Sequence, residues 1–236
     1  MSTGRLAVVT GASRGIGLAV AQRLLDDEIR VVMIARGAEA LRAAAEPYGD
    51  RAVPVECDVS DPMSIDAMIA RVRDEIGALP DIVVNNAGLF KLSAAHATDP
   101  SEFAEALTVN LVAPFRVIRA FLPAMRERGR GDIINIGSIA DRVAFPENGA
   151  YAASKFGLRG LHEVLRAELR GSGVRATLVS PGPVDTALWD EVDPDNRPGF
   201  SPRSSMLSAD AVASAVMYVV TQPNDVNVDE LRLSRS

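Results

Sequence analysis

Apolar residues along this chain fall into two kinds of segment. The first is short and largely apolar on consecutive positions: Leu6–Val9, Val31–Ile34, Ala52–Val55, Ile82–Val84, Ile133–Ile136 and Arg175–Val179. A strand with one wet face alternates apolar and polar residues, so unbroken apolar runs predict strands covered on both faces. The second kind is longer and apolar at helical spacing. Gly15–Asp27 places Ile16, Ala19, Val20 and Leu24 on one stripe. Asp61-Pro62 opens another, with Ile65, Met68, Ile69, Val72 and Ile76 in line; proline suits a first helical position because its missing N–H would be unpaired there anyway. Val109–Met125, Tyr151–Leu169 and Ser208–Val220 complete the helices, and residues 226–236 can supply a last strand. Strand and helix alternate without repeat, low-complexity tract or linker. That order predicts the α/β class: one doubly wound parallel β-sheet flanked by helices, a single domain over residues 1–236 with right-handed crossovers. Ligands of such sheets sit beyond the carboxyl ends of the strands. The residues just after each strand therefore carry the candidate chemistry.

Composition narrows the classes. The chain has 236 residues, 47% of them hydrophobic and 24% charged, enough to bury a sizeable core and to exclude global disorder. With 25 basic and 31 acidic residues the net charge is −6 and no Lys/Arg block occurs, which argues against nucleic acid or an anionic membrane as the main partner. One cysteine, Cys57, and two histidines, His96 and His162, leave no disulfide framework and no Cys/His metal site. No apolar run approaches bilayer length, and the N-terminus leads into a strand-like run rather than a signal peptide. A cytoplasmic protein acting on a small molecule is the expectation.

The first strand runs into Thr10-Gly11-Ala12-Ser13-Arg14-Gly15-Ile16-Gly17, which opens the first helix. Glycines in a strand–turn–helix let backbone approach a pyrophosphate, and the helix N-terminus offers free N–H groups and a positive dipole end. This makes the sheet a Rossmann-type one. The G-x-x-x-G-x-G spacing, not the commoner G-x-G-x-x-G, resembles that of the classical short-chain dehydrogenase/reductase family, and later motifs extend the resemblance over most of the chain. It implies that Gly11, Ser13, Arg14, Gly15, Ile16 and Gly17 form the phosphate turn of a nicotinamide dinucleotide site.

The second strand ends Ile34-Ala35-Arg36, where an NAD site usually has Asp or Glu for the ribose 2′-hydroxyl. Arg36 instead offers a fork suited to a 2′-phosphate, and Arg14 could reach the same group. NADP(H) is therefore preferred over NAD(H), unless both arginines are merely solvated in a chain with only two lysines, Lys91 and Lys155. Asp58 and Val59 follow the third strand. The resemblance implies adenine contacts there, whereas the bare sequence allows Asp58 simply to begin the turn before Asp61-Pro62. Asn85-Asn86-Ala87-Gly88 follows the fourth strand and resembles a family marker. There Asn85 bonds backbone across the sheet, and Ala87 and Gly88 make room for the adenine ribose. Pro181, Gly182, Val184 and Thr186 resemble the nicotinamide-side segment; the same residues could merely end a strand with a stiff turn.

Ser138 follows the fifth strand, Tyr151 lies thirteen residues on, and Lys155 is four residues further, on the same helix face. With three tyrosines and two lysines, a chance Tyr-x-x-x-Lys arises in ~3% of such chains. A phenol of reference pKa about 10 exchanges protons poorly near neutrality. A neighbouring ammonium and an oxidised nicotinamide would lower it. Tyr151 is then the acid/base, Ser138 polarises the substrate oxygen, and Lys155 lowers the Tyr151 pKa and holds the nicotinamide ribose. Asn110 matches a fourth catalytic position only through the resemblance, which gives it a helix kink and a water chain to the lysine. The expected activity is NADP(H)-dependent interconversion of a carbonyl and a secondary alcohol. Epimerisation or dehydration on the same fold and a non-catalytic NADP-binding regulator are the alternatives.

Residues 187–207 carry several prolines with Trp189, Phe200 and Met206, and a loop of this length predicts a substrate loop. Trp189 fits the pocket or a subunit contact equally. Phe90, Ala140, Arg142 and Phe145 fall near the expected mouth, with Arg142 facing either a substrate carboxylate or solvent. The chain lacks the family's usual Asp-Gly-Gly tail and ends more like members acting on 3-hydroxy acids or serine. The Val109 and Tyr151 helices fit the family's four-helix contact, hence a homodimer or homotetramer.

Overall fold

The computed structural model describes residues 4–74, 76 and 79–236. Within them, seven strands form one parallel sheet: β1 (Leu6–Thr10), β2 (Arg30–Ala35), β3 (Ala52–Glu56), β4 (Ile82–Asn85), β5 (Gly131–Ile136), β6 (Val174–Pro181) and β7 (Glu230–Leu233). Their order is β3-β2-β1-β4-β5-β6-β7, so the chain reverses direction of winding between β1 and β4. Pro54, in the middle of β3, lies on an edge strand, where a missing ladder donor is tolerated.

Helices α1 (Gly15–Asp26), α2 (Ala38–Ala45) and α7 (Ala209–Val220) cover one face; α3 (Pro62–Asp74), α5 (Ala113–Arg128) and α6 (Gly149–Leu169) cover the other. Alternation along β1 feeds both layers. Ala7 and Val9 pack with Val20, Leu24, Val212 and Val216, while Leu6 and Val8 pack with Ile65, Phe121 and Leu165. The unbroken apolar runs thus arise because the sheet has no wet face.

Three boundaries differ from the sequence reading. The α3 helix ends at Asp74, so Ile76 lies beyond it, though still packed on the second core layer. The α2 helix was not anticipated, because only Leu41 and Ala45 of it are buried, too few to make a stripe. The helix expected over Val109–Met125 starts earlier, at α4 (Pro100–Leu107), where the Asp99 side chain accepts a hydrogen bond from Ser101 N at 2.8 Å. A π-helical turn, Thr108–Val112, joins α4 to α5, and Gly129 in the left-handed region (φ +64°) stops it. This continuous path, Pro100–Arg128, is 29 residues and is long and apolar enough to cross a membrane by length and composition, contrary to the sequence reading. Its Val117, Ile118, Phe121 and Met125 are buried against the sheet, the place of a core helix.

Candidate active site

The carboxyl ends of β1, β2, β4, β5 and β6 open into a cavity of about 990 Å³ at the point where the winding reverses. The glycine turn forms one wall. Gly11 (φ +69°) and Gly15 (φ +56°) adopt backbone that other residues rarely take. A Cβ on Gly17 would lie 2.3 Å from both the Gly11 carbonyl oxygen and Asn86 Nδ2. Gly17 is thus there for packing and does not line the cavity, whereas Gly11, Ser13, Arg14, Gly15 and Ile16 do. The α1 N-terminus has no side-chain cap and no acid in its first turn, so its N–H groups remain available to an anion.

Arg14 and Arg36 stand exposed at this end, and among the described residues neither guanidinium makes a hydrogen bond or ion pair. Asp58 does form the turn: its Oδ1 accepts from Ser60 N at 2.9 Å and Ser60 Oγ at 2.7 Å. Burial alone would push its carboxyl up, but the Ser60 bonds and the charge of Arg36 outweigh that and leave it lowered. Asp58 and Val59 both line the cavity, so the turn and binding readings coexist.

The asparagine pair is divided differently from expectation. Asn85 is buried in the sheet and donates through Nδ2 to Asn135 Oδ1 at 2.9 Å; it does not reach the cavity. Asn86, one residue past the strand, faces the site. Its Nδ2 donates to Thr10 O at 2.9 Å and Gly11 O at 3.3 Å, clamping the phosphate turn to β4. The doubled asparagine was visible, but which one faces the turn depends on where β4 stops. Ala87 and Gly88 line the cavity as expected.

At the other end, Ser138, Tyr151 and Lys155 line the same cavity. Ser138 caps the short 3₁₀ turn Ile139–Asp141: its Oγ accepts from Ala140 N at 3.1 Å, which fixes the side chain and frees the O–H to donate. Tyr151 and Lys155 lie one turn apart on α6. Lys155 Nζ sits 5.6 Å from the Tyr151 ring centre and donates to Ile136 O at 2.8 Å. Burial governs the pKa of both groups. Burial pushes the Tyr151 phenol up to about 12, with the Ser138 hydrogen bond opposing and Asp141 adding to the rise. Burial likewise brings the Lys155 ammonium down to about 8, against the attraction of Asp141.

Asn110 does not line the cavity. It sits buried within the π turn. Its Oδ1 accepts from Leu89 N at 2.8 Å, and its Nδ2 donates to Leu89 O and Ser154 Oγ, both at 2.9 Å. It thus ties the β4 exit to α6 next to Lys155, and its expected place in the helix distortion is met.

Pro181, Gly182, Val184 and Thr186 line the cavity between the two ends. Thr186 lies against the glycine turn, since a Cβ on Gly15 would be 3.2 Å from its Cγ2. The loop over residues 187–207 is pinned at its neck by Asp185 N to Leu207 O (2.8 Å) and Leu207 N to Pro183 O (2.9 Å). Trp189 lines the cavity, with its indole N–H on Val184 O at 3.1 Å and its ring 5.0 Å from that of Phe90. Arg142 takes neither expected role. Its Nε lies 2.6 Å from Asp141 Oδ1 and its Nη2 2.5 Å from Glu230 Oε1, away from the cavity lining. Asp141, fully buried and also accepting from Ser180 Oγ, claims it; no local sequence signal shows that partner on β6.

Comparison with known proteins agrees with this architecture. The family model described as short chain dehydrogenase matches residues 5–197. The 2-(R)-hydroxypropyl-CoM dehydrogenase of Xanthobacter autotrophicus is 37% identical over 227 residues, covering 91% of this chain and 90% of that one. A crystal structure of a metagenomic short-chain oxidoreductase in complex with NADP is similar at a TM-score of 0.83 and 36% identity, covering 99% and 98% of the two chains. The closed form of serine dehydrogenase complexed with NADP+ gives a TM-score of 0.87 at 30% identity, covering 96% and 93%. A parallel sheet whose reversal point opens onto a glycine turn, together with these matches over nearly the whole chain, shows that the protein belongs to the short-chain dehydrogenase/reductase family of nucleotide-binding oxidoreductases.

Proposed function

We propose that the protein is a single-domain, cytoplasmic NADP(H)-dependent oxidoreductase that interconverts a carbonyl and a secondary alcohol. One observation carries this reading. A single cavity joins an uncapped helix N-terminus and two unpaired guanidinium groups at one end to a hydroxyl, a phenol and an ammonium at the other. The first end fits phosphates: the α1 N–H groups would take the pyrophosphate, and Arg14 and Arg36 a 2′-phosphate. Two solved relatives hold NADP in structures of the same fold. Val184 and Thr186, which line the cavity, would hold the carboxamide.

When bound, the nicotinamide supplies or accepts the hydride. Ser138 O–H donates to the substrate oxygen and stabilises the charge that develops there. Tyr151, protonated in this environment, delivers its phenolic proton to that oxygen in reduction and recovers it in oxidation. Lys155 holds positive charge beside the phenolate left behind. Asn110 keeps the β4 exit and α6 in register around this pair. The two relatives are named for 2-(R)-hydroxypropyl-CoM and for serine, so family membership leaves the alcohol open. Exposed Val112, Phe115, Phe156 and Val164 support a homodimer or homotetramer through the α5 and α6 faces.

The test is NADPH and NADH oxidation over a panel of ketones, with Tyr151→Phe and Arg36→Asp beside the wild type. Tyr151→Phe should lose nearly all turnover while NADPH still raises its melting temperature, and Arg36→Asp should reverse the preference for NADPH. Turnover retained by Tyr151→Phe would move the acid/base role elsewhere; an unchanged cofactor ratio in Arg36→Asp would remove the NADP assignment.

A further inference from the structure

The substrate half of the cavity has a specific chemical character. Phe90 stands edge-on to Tyr151 with ring centres 4.9 Å apart. Trp189 stands edge-on to Phe90 at 5.0 Å, and Phe200 follows Trp189 at 6.2 Å. Phe145, Leu188 and Met206 complete the apolar lining. An aromatic row therefore leads outward from the reacting phenol, and its edge-to-face geometry leaves ring faces for a flat apolar ligand.

Charge is accounted for with equal clarity. The only cations lining the cavity, among the described residues, are Arg14, Arg36 and Lys155. The first two lie at the phosphate end, and Lys155 donates to Ile136 O beside Tyr151. The arginines near the mouth are already paired. Arg142 is held by Asp141 and Glu230. Arg197 caps the Phe200 ring at 5.0 Å and lies 2.5 Å from Glu147 Oε2, strapping the substrate loop to the segment before α6. Arg203 is shared between Asp185 and Asp190. The carboxylate left over in the lining is negative: Glu105 lines the wall without an ion-pair partner among the described residues.

We infer that the substrate is a neutral, ring-bearing ketone or the matching secondary alcohol, and that the site excludes carboxylates, sulfonates and amino acids. This rests on the carbonyl/alcohol reading above and names the substrate class for it. It runs against the hydroxy-acid and serine direction suggested by the chain's ending, because an enclosed carboxylate needs a paired cation and none is free to provide it.

The discriminating probes are methyl 4-acetylbenzoate and 4-acetylbenzoate, alike in shape and ketone but different in charge at neutral pH. Trp189 is the sole tryptophan, so quenching of intrinsic fluorescence reads occupancy of the aromatic row whether or not turnover follows. With NADPH present, the ester should quench and be reduced, and the acid should bind about 100-fold more weakly. Glu147→Gln, which releases Arg197, should narrow that gap about tenfold. Equal or tighter binding of the acid, or no quenching by either probe, would overturn the inference. A gap unchanged in Glu147→Gln would overturn the part given to the Arg197 pairing. Quenching by the ester alone without NADPH oxidation would uphold the substrate class and instead defeat the carbonyl-reductase reading.

Discussion

At the residue scale, burial sets the protonation of Tyr151 and Lys155, the two groups that the proposed reaction uses. Tyr151 keeps its proton to about pH 12, so it is a ready acid throughout the working range. Lys155 has its pKa lowered to about 8, so its ammonium is present below that pH and lost above it. Ketone reduction should therefore be level through neutrality and decline as pH rises through about 8. Alcohol oxidation, which needs the phenolate beside the ammonium, should rise with pH up to about 8 and then level off as that ammonium is lost. Rates in both directions at saturating substrate, measured from neutral to alkaline pH, check this, and a reduction rate still rising past pH 8 would contradict it. Gly17 is the second residue whose role is set by its surroundings. Gly17→Ala places a methyl where backbone already lies, and should cost about 2 kcal/mol or more in denaturant unfolding besides disturbing the phosphate turn.

At the scale of elements, the π turn Thr108–Val112 is where helix geometry yields to a side chain. Asn110 satisfies both backbone groups of Leu89 and the Ser154 hydroxyl, an arrangement that fixes the strand exit against α6. Asn110→Ala leaves those groups unpaired in a buried place and should lower stability by about 2–4 kcal/mol. Chemical denaturation would measure it; a loss under about 0.5 kcal/mol would mean that solvent replaces the amide with little penalty. The loop over residues 187–207 is an element of the same kind, made regular by its neck and its ion pairs rather than by propensity.

Across the whole molecule, the two edges of the sheet separate stability from chemistry. The cavity occupies the carboxyl edge. At the opposite edge Asp132, at the start of β5, joins buried Arg175 at 2.6 Å and Arg5 at 2.8 Å, while Arg175 Nη1 also donates to the carbonyls of Gln222, Pro223 and Val226. This cluster ties β1, β5 and β6 to the connection after α7. Asp132→Ala strands a buried guanidinium and should destabilise the fold by about 3–5 kcal/mol. NADPH affinity measured well below the lowered melting temperature should be unchanged, and a weakened affinity would show that the two edges are coupled.

The strand–helix order, the parallel sheet and the glycine turn were legible in the chain, and so was the grouping of Ser138, Tyr151 and Lys155 beside one cavity. Each of these is written in residues close together in the chain: apolar runs with a two-sided burial pattern, glycines at fixed offsets, and a tyrosine and lysine one helical turn apart. What depends on distant partners was decided only in three dimensions. Asn86 rather than Asn85 faces the phosphate turn because β4 ends between them. Arg142 is withdrawn from the site because Glu230 on β7 joins its neighbour Asp141 in holding it. Trp189 joins the cavity because the loop neck folds it against Phe90. The sign of the Tyr151 and Lys155 shifts belongs to the same class. Spacing brings the two groups together, but desolvation is set by everything packed around them, and no local pattern encodes that enclosure.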